Sequence, residues 1–484
     1  MPCYSRCQSD AACRRTLDRK RAGKNTVLKH YGRRMDAVPL TTRIIQNDNS
    51  IPLLLQTGEF NMTNQTGRNN RATMFLAATA LVLLAANAQA FESMQMGEWE
   101  IQITGNVNGF LTNADCDARS AGPVSGGLAC GSNGVDRDIA NVRTGLLPSW
   151  FGFHGQQEVD GLTTEIMIGF QPGIDGGNQG DITGSPLDGG LGLNSENLRQ
   201  VFVQFGSDWG KIKIGRDLGL FGSDAILSDM TLLGVGTVSD LTAGGGNTSL
   251  GRIGVGYVYA DWKGQVQYSS PDWNGFSFNL ALVDPWGLVN LSGLSLDAGS
   301  FAQQGDTYGI EGKAAYEWKG AEAEDFSGKV WAGFIGQALD SSVFGSEDAT
   351  GFDIGAKVAV AGFEFVAYYY DGEGIGTTDF LFDAVDSSGN TRDSDGGYLQ
   401  ATYALPGAGT KFGLSWGESN LDLGPADSVA STLVQTNESI VFGVYHPLTE
   451  SLSLVFEYTG TEATAHNGNK AEESSIAIGA ILFY

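Results

Sequence analysis

The sequence predicts an all-β protein, a transmembrane antiparallel β-barrel of sixteen strands. Segments in which apolar and polar residues alternate recur along residues 91–484, and this period is typical of strands whose two faces meet different surroundings. Tight turns and long loops rich in Gly, Asp, Asn and Ser connect the segments alternately, and the chain ends inside a strand pattern, on Tyr484. An even number of strands with short periplasmic turns and long extracellular loops is typical of outer-membrane barrels.

The strands of the first half are separated by residues that favour turns. Trp99, Ile101 and Ile103 alternate with polar residues in the first strand, and Asp160-Gly161 predicts a tight turn between the second and third. The predicted strands are Trp99–Phe110, Trp150–Gln156, Leu162–Phe170, Leu198–Gly206, Lys211–Arg216, Gln265–Ser270 and Phe276–Val283.

The second half continues the same alternation. Ala361-Gly362 and Pro406-Gly407 predict two of its turns. The predicted strands are Thr307–Trp318, Phe326–Gln337, Gly351–Val360, Phe363–Tyr370, Gly397–Leu405, Lys411–Trp416, Glu438–Pro447, Ser451–Thr459 and Glu473–Tyr484. The last strand is expected to pair with the first, because an open sheet edge would leave backbone groups unpaired in lipid.

An export signal precedes the predicted barrel. Arg68 and Arg71 are followed by the apolar run Met74–Ala86, which is too short for a membrane-spanning helix, and by the small-x-small cleavage pattern Ala88-Gln89-Ala90. Because a signal peptide lies near a start site, we expect the chain to start at Met62. The predicted divisions are a non-native or untranslated extension (1–61), a signal peptide (62–90) and the barrel (91–484). A transit peptide or a basic partner-binding tail is the alternative for the extension.

The predicted mature chain is strongly acidic. Removal of residues 1–90 leaves 16 basic residues against 50 acidic ones, a net charge of −34. This balance argues against a nucleic-acid partner, which requires clustered Lys and Arg. It favours a surface or channel that attracts cations. An acidic surface that serves solubility or salt tolerance is an equally weighted alternative.

Two cysteines, Cys116 and Cys130, lie within the mature chain in one Gly/Asp-rich stretch. Exported proteins fold in an oxidising compartment, so we expect these two residues to form a disulfide. Closing a loop of this length stabilises the fold by about 3 kcal/mol in the chain-entropy model. Further ligands for zinc are not nearby in the sequence.

Polar residues occupy one face of most predicted strands, and the export signal with the aromatic terminus favours this face as the inner one. A soluble β-sandwich would place the same polar face outward. Aromatic residues that could form interfacial girdles are Tyr308, Tyr316, Trp318, Tyr369, Tyr403, Trp416 and Tyr458. Ordinary strand propensity is the alternative explanation for these aromatics.

Three stretches resemble Gram-negative general porins. The first is Ser149–Gly155 with the following Glu158 and Gly161-Leu162, and the second joins Leu198–Val203 to Trp209–Arg216. The third is Val266–Phe276, with its Ser-Pro turn. The resemblance implies a homotrimer of sixteen-stranded barrels among outer-membrane lipid and lipopolysaccharide, with a water-filled pore for ions and small hydrophilic solutes. It also implies that the outer-membrane assembly machinery reads the terminal residues Leu482, Phe483 and Tyr484.

The resemblance further implies that the loop after the fifth strand, here about 217–262, folds inward and narrows the pore. Its acids would face a basic wall; they are Asp217, Asp224, Asp229, Asp240 and Asp261. Trp150 and His154 stand where the family often has basic residues, so we expect a cation-preferring pore. The expected pore wall comprises Trp150, His154, Arg199, Lys211, Lys213, Arg216, Glu165, Glu311, Lys313, Asp353 and Lys357.

Other functions were weighed against the diffusion channel. The metalloprotease, nucleophile-elbow and phosphate-loop motifs of enzymes are missing from the sequence, so we expect no catalysis and no cofactor. A sugar-type channel would use inward aromatics such as Trp150, Phe202, Tyr368 and Tyr370. An adhesin or structural barrel would not conduct. Loop acids that could hold Ca²⁺ or bridge lipopolysaccharide, rather than being merely solvated, are Asp383, Asp386, Asp393 and Asp395.

Overall fold

The computed structural model describes residues 93–174, 198–239, 248–295, 307–320, 326–341 and 345–484. The predicted extension, the signal peptide and Asp240 lie outside these residues. The first nine strands are β1 (Met94–Met96), β2 (Trp99–Asp117), β3 (Arg137–Arg143), β4 (Trp150–Val159), β5 (Leu162–Phe170), β6 (Leu198–Ser207), β7 (Gly210–Leu218), β8 (Trp262–Ser269) and β9 (Phe276–Val283).

The remaining strands complete a single sheet. They are β10 (Gly309–Trp318), β11 (Ser327–Ser341), β12 (Gly345–Val360), β13 (Phe363–Glu373), β14 (Asp393–Ala404), β15 (Lys411–Leu421), β16 (Val434–Pro447), β17 (Leu452–Ala465) and β18 (Lys470–Phe483). The described part of the segment between β7 and β8 contains the helix α1 (Ser223–Ser228) and a 3-10 helix (Met230–Leu233).

The sheet closes into a barrel of sixteen antiparallel strands, as the sequence predicts. From β4 onward each strand pairs with the next, and β18 pairs with β2 from Glu472↔Asp117 to Phe483↔Asn106. Backbone hydrogen bonds between Tyr484 and Gly105 continue this last seam. β3 and β4 pair with successive parts of β2 and together count as one barrel strand, while β1 is a short addition. Closure leaves no open edge in lipid.

At the end of the short turns, the predicted strand bounds agree with the structure within one residue, except that β4 continues to Val159. At the end of the long loops, most of them fall short. These two ends of the barrel are here called the turn end and the loop end. Leu162–Phe170 and Phe276–Val283 match in full. At the loop end, β2 continues to Asp117 and β12 begins at Gly345, while β3 was not predicted. Apart from Leu111 and Val142, the outward residues of these extensions are polar or small, so the period-two hydrophobic signal that marks a lipid-facing strand weakens there.

The barrel is apolar outside and polar inside. On β18, Ile476 and Ile478 are 45% and 56% exposed, whereas the alternating Ser475 and Ala477 are each 4% exposed. A soluble sandwich has the opposite arrangement. Expected girdle residues that are exposed on the outer surface include Tyr308, Tyr316, Tyr369, Trp416 and Tyr458. Among the described residues, no helix has the length and hydropathy to cross a membrane.

Candidate functional site

The described residues between β7 and β8, 219–239 and 248–261, fold into the barrel. We call this segment the inward loop. Its described apolar residues are buried rather than exposed to solvent; among them are Phe221, Ala225, Met230, Leu232, Val235, Leu250, Val255 and Val258. They share one apolar cluster with inner-face residues of β11, β13 and β14, such as Trp331, Tyr368 and Tyr398. The inward loop therefore lies against the wall formed by the second half of the barrel.

Carboxylates on that wall hold the inward loop by accepting backbone N–H groups. Glu311 of β10 accepts from Leu220 and from Phe221, the latter at 3.2 Å. Asp353 of β12 accepts from Gly222 at 2.9 Å. Each of these carboxylates satisfies loop N–H groups that have no strand partner, which is the condition for burying irregular backbone.

The same arrangement recurs farther along the loop. Glu457 of β17 accepts from the N–H groups of Val235 and Gly236 at 2.7 and 2.9 Å, and from the hydroxyl of Tyr445 at 2.7 Å. Glu473 of β18 accepts from the N–H groups of Val238 and Ser239, the next residues of the inward loop. We refer to Glu311, Asp353, Glu457 and Glu473 as the anchor carboxylates.

Glycine permits the close approach at Glu457. A Cβ added to Gly234 would overlap the Glu457 carboxylate. Gly236 has φ +59°, a left-handed conformation that glycine adopts without strain. The sequence Gly234-Val235-Gly236 thus presents two backbone donors to one carboxylate.

Asp224 of α1 connects the inward loop to basic residues of the wall. Its carboxylate contacts Lys313 at 2.9 Å and Lys329 at 2.6 Å. Burial disfavours its charge, but the two lysines outweigh burial and lower the pKa of Asp224 to about 2. The loop acid and the basic wall are therefore in direct contact, with no open gap between them.

The other described acids of the expected constriction loop, Asp217, Asp229 and Asp261, also have partners. Asp217 lies on β7 and pairs with Lys213 and Gln200. Asp229 caps the 3-10 helix through Thr231 and accepts from the Tyr257 hydroxyl at 3.0 Å; burial raises its pKa. Asp261 accepts from the N–H group of Trp262.

A small cleft, about 30 Å³ in volume, lies between the inward loop and the wall of β4 to β8. On the loop side it is lined by Ile226, Leu227 and Leu232, and on the wall side by Trp150, Arg199 and Gln200. The described loop residues that line this cleft are apolar or aromatic. The implied arrangement of loop acids facing a basic wall across the pore stays a prediction: Asp217 pairs with Lys213 on β7, and Asp224 pairs with lysines of the other wall.

Farther toward the turn end, the wall of β4 to β7 carries a polar group. Glu165 contacts Lys211 at 2.8 Å and His154 at 3.9 Å, and accepts from Gln204 at 3.0 Å. Lys211 and His154 are half-buried, so this group lies closer to solvent than the anchor carboxylates.

Arg199 and Arg216, the two arginines of the expected pore wall, have different surroundings. A bulge in the pairing of β5 with β6 skips Arg199, which is buried near Tyr259 and Trp262. Arg216 is the register partner of the outward-facing Val201, and cross-strand partners share a face. The expectation that Arg216 lines the pore wall is therefore corrected: it lies on the outer face.

Several inward charges are paired with an opposite charge. Besides the contacts above, Lys263 pairs with Glu311, and Lys357 pairs with Glu364 at 3.0 Å. In contrast, acids accumulate on the outer face near the loop end. Five successive register partners form a row there, which we call the rim row: Glu418, Glu438, Glu462, Glu472 and Asp117.

The acids considered for Ca²⁺ do not converge. Asp383 accepts from Ser292 and Ser295, and Asp386 accepts from backbone N–H groups that include those of Ser388 and Ala426. Asp393 and Asp395 lie on β14. The described part of the chain contains no group of three or more His, Cys, Asp or Glu side chains that could hold a metal ion.

Two further loops fold into the loop end, and the sequence reasoning did not find them. Residues 118–136 include the buried Val124 and Leu128, and residues 374–392 include the buried Ile375, Phe380 and Leu381. Apolar residues inside otherwise polar loops were the available signal. Cys116 and Cys130 form a disulfide at the base of the first of these loops.

The aromatics considered for a sugar-type channel do not share one surface. Trp150 borders the cleft, whereas Tyr368 and Tyr370 are buried in the apolar cluster beneath the inward loop. At the chain end, Leu482 is exposed on the outer face, and Tyr484 completes the seam with β2.

The fold and its inner face define a membrane-spanning β-barrel with a polar interior that loops narrow from one end. A family model described as Gram-negative porin matches residues 77–466, and the chain belongs to that family. It is accordingly a multi-pass β-barrel of the outer membrane. No curated protein matches the sequence.

Solved structures share the fold at low sequence identity. The outer membrane channel DcaP of Acinetobacter baumannii is 14% identical with a TM-score of 0.58, over 81% of this chain and 100% of that one. An anion-selective porin from Comamonas acidovorans is 13% identical with a TM-score of 0.53, over 80% and 100%.

Proposed function

We propose that this protein is a passive diffusion channel of the outer membrane, through which ions and small hydrophilic solutes cross. The observation that carries the proposal is the distribution of residues on the barrel: apolar residues are exposed on its outer face, and its inner face is polar. Membership of the porin family supports the same function. No catalytic step is part of the proposal.

We further propose a modest cation preference that originates at the loop end. Inward acids pair with lysines or accept loop N–H groups. The rim row carries five acids, for which Arg119 and Lys470 are the cations within salt-bridge distance in the described residues. Such a row raises the local cation concentration at the mouth. Because the Debye length falls from about 10 Å at 0.1 M salt to about 3 Å at 1 M, this preference should weaken as salt rises.

The experiment is a reversal-potential measurement on the purified protein in planar bilayers, with a KCl gradient around 0.1 M and again around 1 M. We expect stepwise conductance and a cation preference that is larger at low salt. Absence of conductance would favour an adhesin or structural barrel, and an anion preference at low salt would contradict the selectivity proposal.

We also propose that the protein is exported with removal of residues 62–90 and assembles as a homotrimer among outer-membrane lipid and lipopolysaccharide. The terminal Leu482, Phe483 and Tyr484 would be the signal for the assembly machinery. N-terminal sequencing of the mature protein should begin Phe91-Glu92-Ser93, and retention of residues 1–61 would contradict this. Deletion of Leu482–Tyr484 should abolish the trimer in the outer membrane while export continues; a normal trimer yield would count against the signal.

A further inference from the structure

The loop between β2 and β3, residues 118–136, is closed at its base by the Cys116–Cys130 disulfide. We call it the disulfide loop. Cys116 stands at the end of β2, where its register partner is Glu473 on β18. Both half-cystines are buried, so the loop begins at the inner face of the barrel rather than above it.

The disulfide loop packs on the inner face of β15 to β18. The N–H group of Leu128 donates to Asn437 Oδ1 at 2.8 Å, and that of Ser125 donates to the carbonyl of Thr432 at 2.8 Å. Apolar loop residues are buried against inward residues of the strand ends. This cluster contains Val124, Ala129, Leu421, Leu433, Val434, Ala463, Ala465 and Ala471.

Glu473 joins the disulfide loop to the inward loop. Its Oε2 accepts from the N–H group of Cys130 at 3.0 Å and from that of Ser239 at 3.0 Å, while its Oε1 accepts from Val238 at 2.8 Å. One buried carboxylate thus satisfies three backbone donors from two loops. Charge-assisted hydrogen bonds of this kind are about twice as strong as neutral ones.

A second junction lies at Leu128, two residues before Cys130 in the disulfide loop. A Cβ added to Gly254 of the inward loop would collide with Leu128 and would lie 2.9 Å from Thr378 Oγ1 of segment 374–392. Leu128 is buried at this meeting point of three loops. The disulfide loop is therefore joined to the inward loop in two ways, by the hydrogen bonds of Glu473 and by the apolar contact of Leu128 with Gly254.

We propose that the disulfide loop is a second pore-narrowing element, with Glu473 as the positioning residue that fixes it against the inward loop and Leu128 as a determinant of the size limit. The inference rests on the proposed channel function. It differs from the expectation that the inward loop alone narrows the pore. Pore diameter and lining set which solutes pass, so loosening either junction should admit larger solutes.

The first test compares Glu473→Gln with Glu472→Gln, which make the same charge change at adjacent positions on opposite faces. Liposomes carrying each variant are assayed for swelling in a monosaccharide and in a disaccharide. Glu473→Gln should raise the disaccharide-to-monosaccharide rate ratio by about twofold, because an amide NH₂ group cannot accept the loop N–H groups. Glu472→Gln should shift the reversal potential and leave this ratio unchanged. Equal ratios in both variants would overturn the positioning role.

The second test uses Leu128→Ala, with Val135→Ala in the exposed part of the same loop as its control, and the double variant Cys116→Ser/Cys130→Ser. Retention of the folded barrel is checked by the heat-dependent shift in gel mobility. Leu128→Ala and the double serine variant should each raise the rate ratio, and Val135→Ala should not. Folded variants with wild-type ratios would overturn the inference while the channel function stands. Absence of swelling in the wild type would instead contradict the proposed function itself.

Discussion

Carboxylates on two walls of the barrel occupy the same kind of inward position in an alternating strand, but their surroundings differ. On the wall of β10 to β18, the anchor carboxylates Glu457 and Glu473 are buried beneath loops and accept backbone N–H groups. On the wall of β4 to β7, Glu165 forms an ion pair with the half-buried Lys211. The difference teaches that an inward acid on a barrel strand is either a structural acceptor or a pore charge, depending on whether a loop lies over it.

The largest expected effect on stability is that of Glu457→Ala on the wall of β10 to β18, which the inward loop covers. The substitution leaves three buried donors, the N–H groups of Val235 and Gly236 and the hydroxyl of Tyr445, without their acceptor. Because each such donor costs about 1–3 kcal/mol, we expect a loss of at least about 3 kcal/mol in unfolding free energy. Urea unfolding of the protein in detergent, followed by tryptophan fluorescence, measures it.

Single-channel recording of the same variant provides a second measurement. A released inward loop should give a larger or noisier conductance than the wild type. A Glu457→Ala protein with wild-type stability and conductance would show that the anchor carboxylates do not hold the loop.

The two kinds of carboxylate could not be distinguished from the sequence, although the barrel could. Alternation such as that of Ile476 and Ile478 with Ser475 and Ala477 reports lipid on one side of a strand, which is a local property. The role of Glu457 depends on Val235 and Gly236, more than 200 residues away in the chain. Register and loop packing at that separation leave no periodic signal.

The same limit applies to the loop acids and to the two further loops that fold inward. The sequence does not show that Asp224 contacts Lys313 and Lys329 directly, because these residues lie about 90 and 105 positions away in the chain. Arg216 was assigned to the pore, but the strand register places it outside. A position one residue along a strand changes face, so small uncertainties in register reverse such assignments.

The next largest effect is expected for Gly234→Ala, which perturbs an anchor from the loop side. A Cβ at this position overlaps the Glu457 carboxylate, so the loop or the carboxylate must move. Overpacking of this kind costs about 1–3 kcal/mol. Urea unfolding should show this loss, and Gly407→Ala is the control because that turn glycine has open space around its Cβ position. Since Gly407 also has a positive φ, Gly407→Ala should lower the unfolding free energy only through backbone strain. This control variant should not alter conductance.

The result would sharpen the comparison of the two walls. If Gly234→Ala raises conductance and Gly407→Ala does not, the backbone contact at Glu457 sets the loop position. Identical conductance in the two variants would contradict that role.

A smaller effect, confined to acid, is expected at Asp224. Its folded-state pKa of about 2 lies below the ordinary aspartate value of 3.8, so on acidification the unfolded chain takes up the proton first. The stabilisation is therefore fully present above pH about 4 and is lost as the pH falls toward 2; it amounts to about 2 kcal/mol. Urea unfolding of the wild type and Asp224→Asn between pH 2 and 7 measures it.

The difference in unfolding free energy between these two proteins isolates Asp224 from the other acids. We expect the wild type to be more stable at pH 5 to 7 and the difference to shrink below pH 4. A difference that is independent of pH would rule out the two lysines as its cause.

The smallest effect on stability, with a clear effect on ion selectivity, is expected for Glu165→Gln on the wall of β4 to β7. Lys211 is about 30% exposed and can be solvated after the ion pair is lost, so the expected cost is within about 1 kcal/mol. The charge of Lys211 is then uncompensated inside the barrel, and the reversal potential should move toward anions. Lys211→Met is the matched opposite change and should move it toward cations. If neither variant shifts the reversal potential while both fold normally, Glu165 and Lys211 do not border the ion path. In that case the acids on the wall of β4 to β7 would not differ in function from the anchor carboxylates on the wall of β10 to β18.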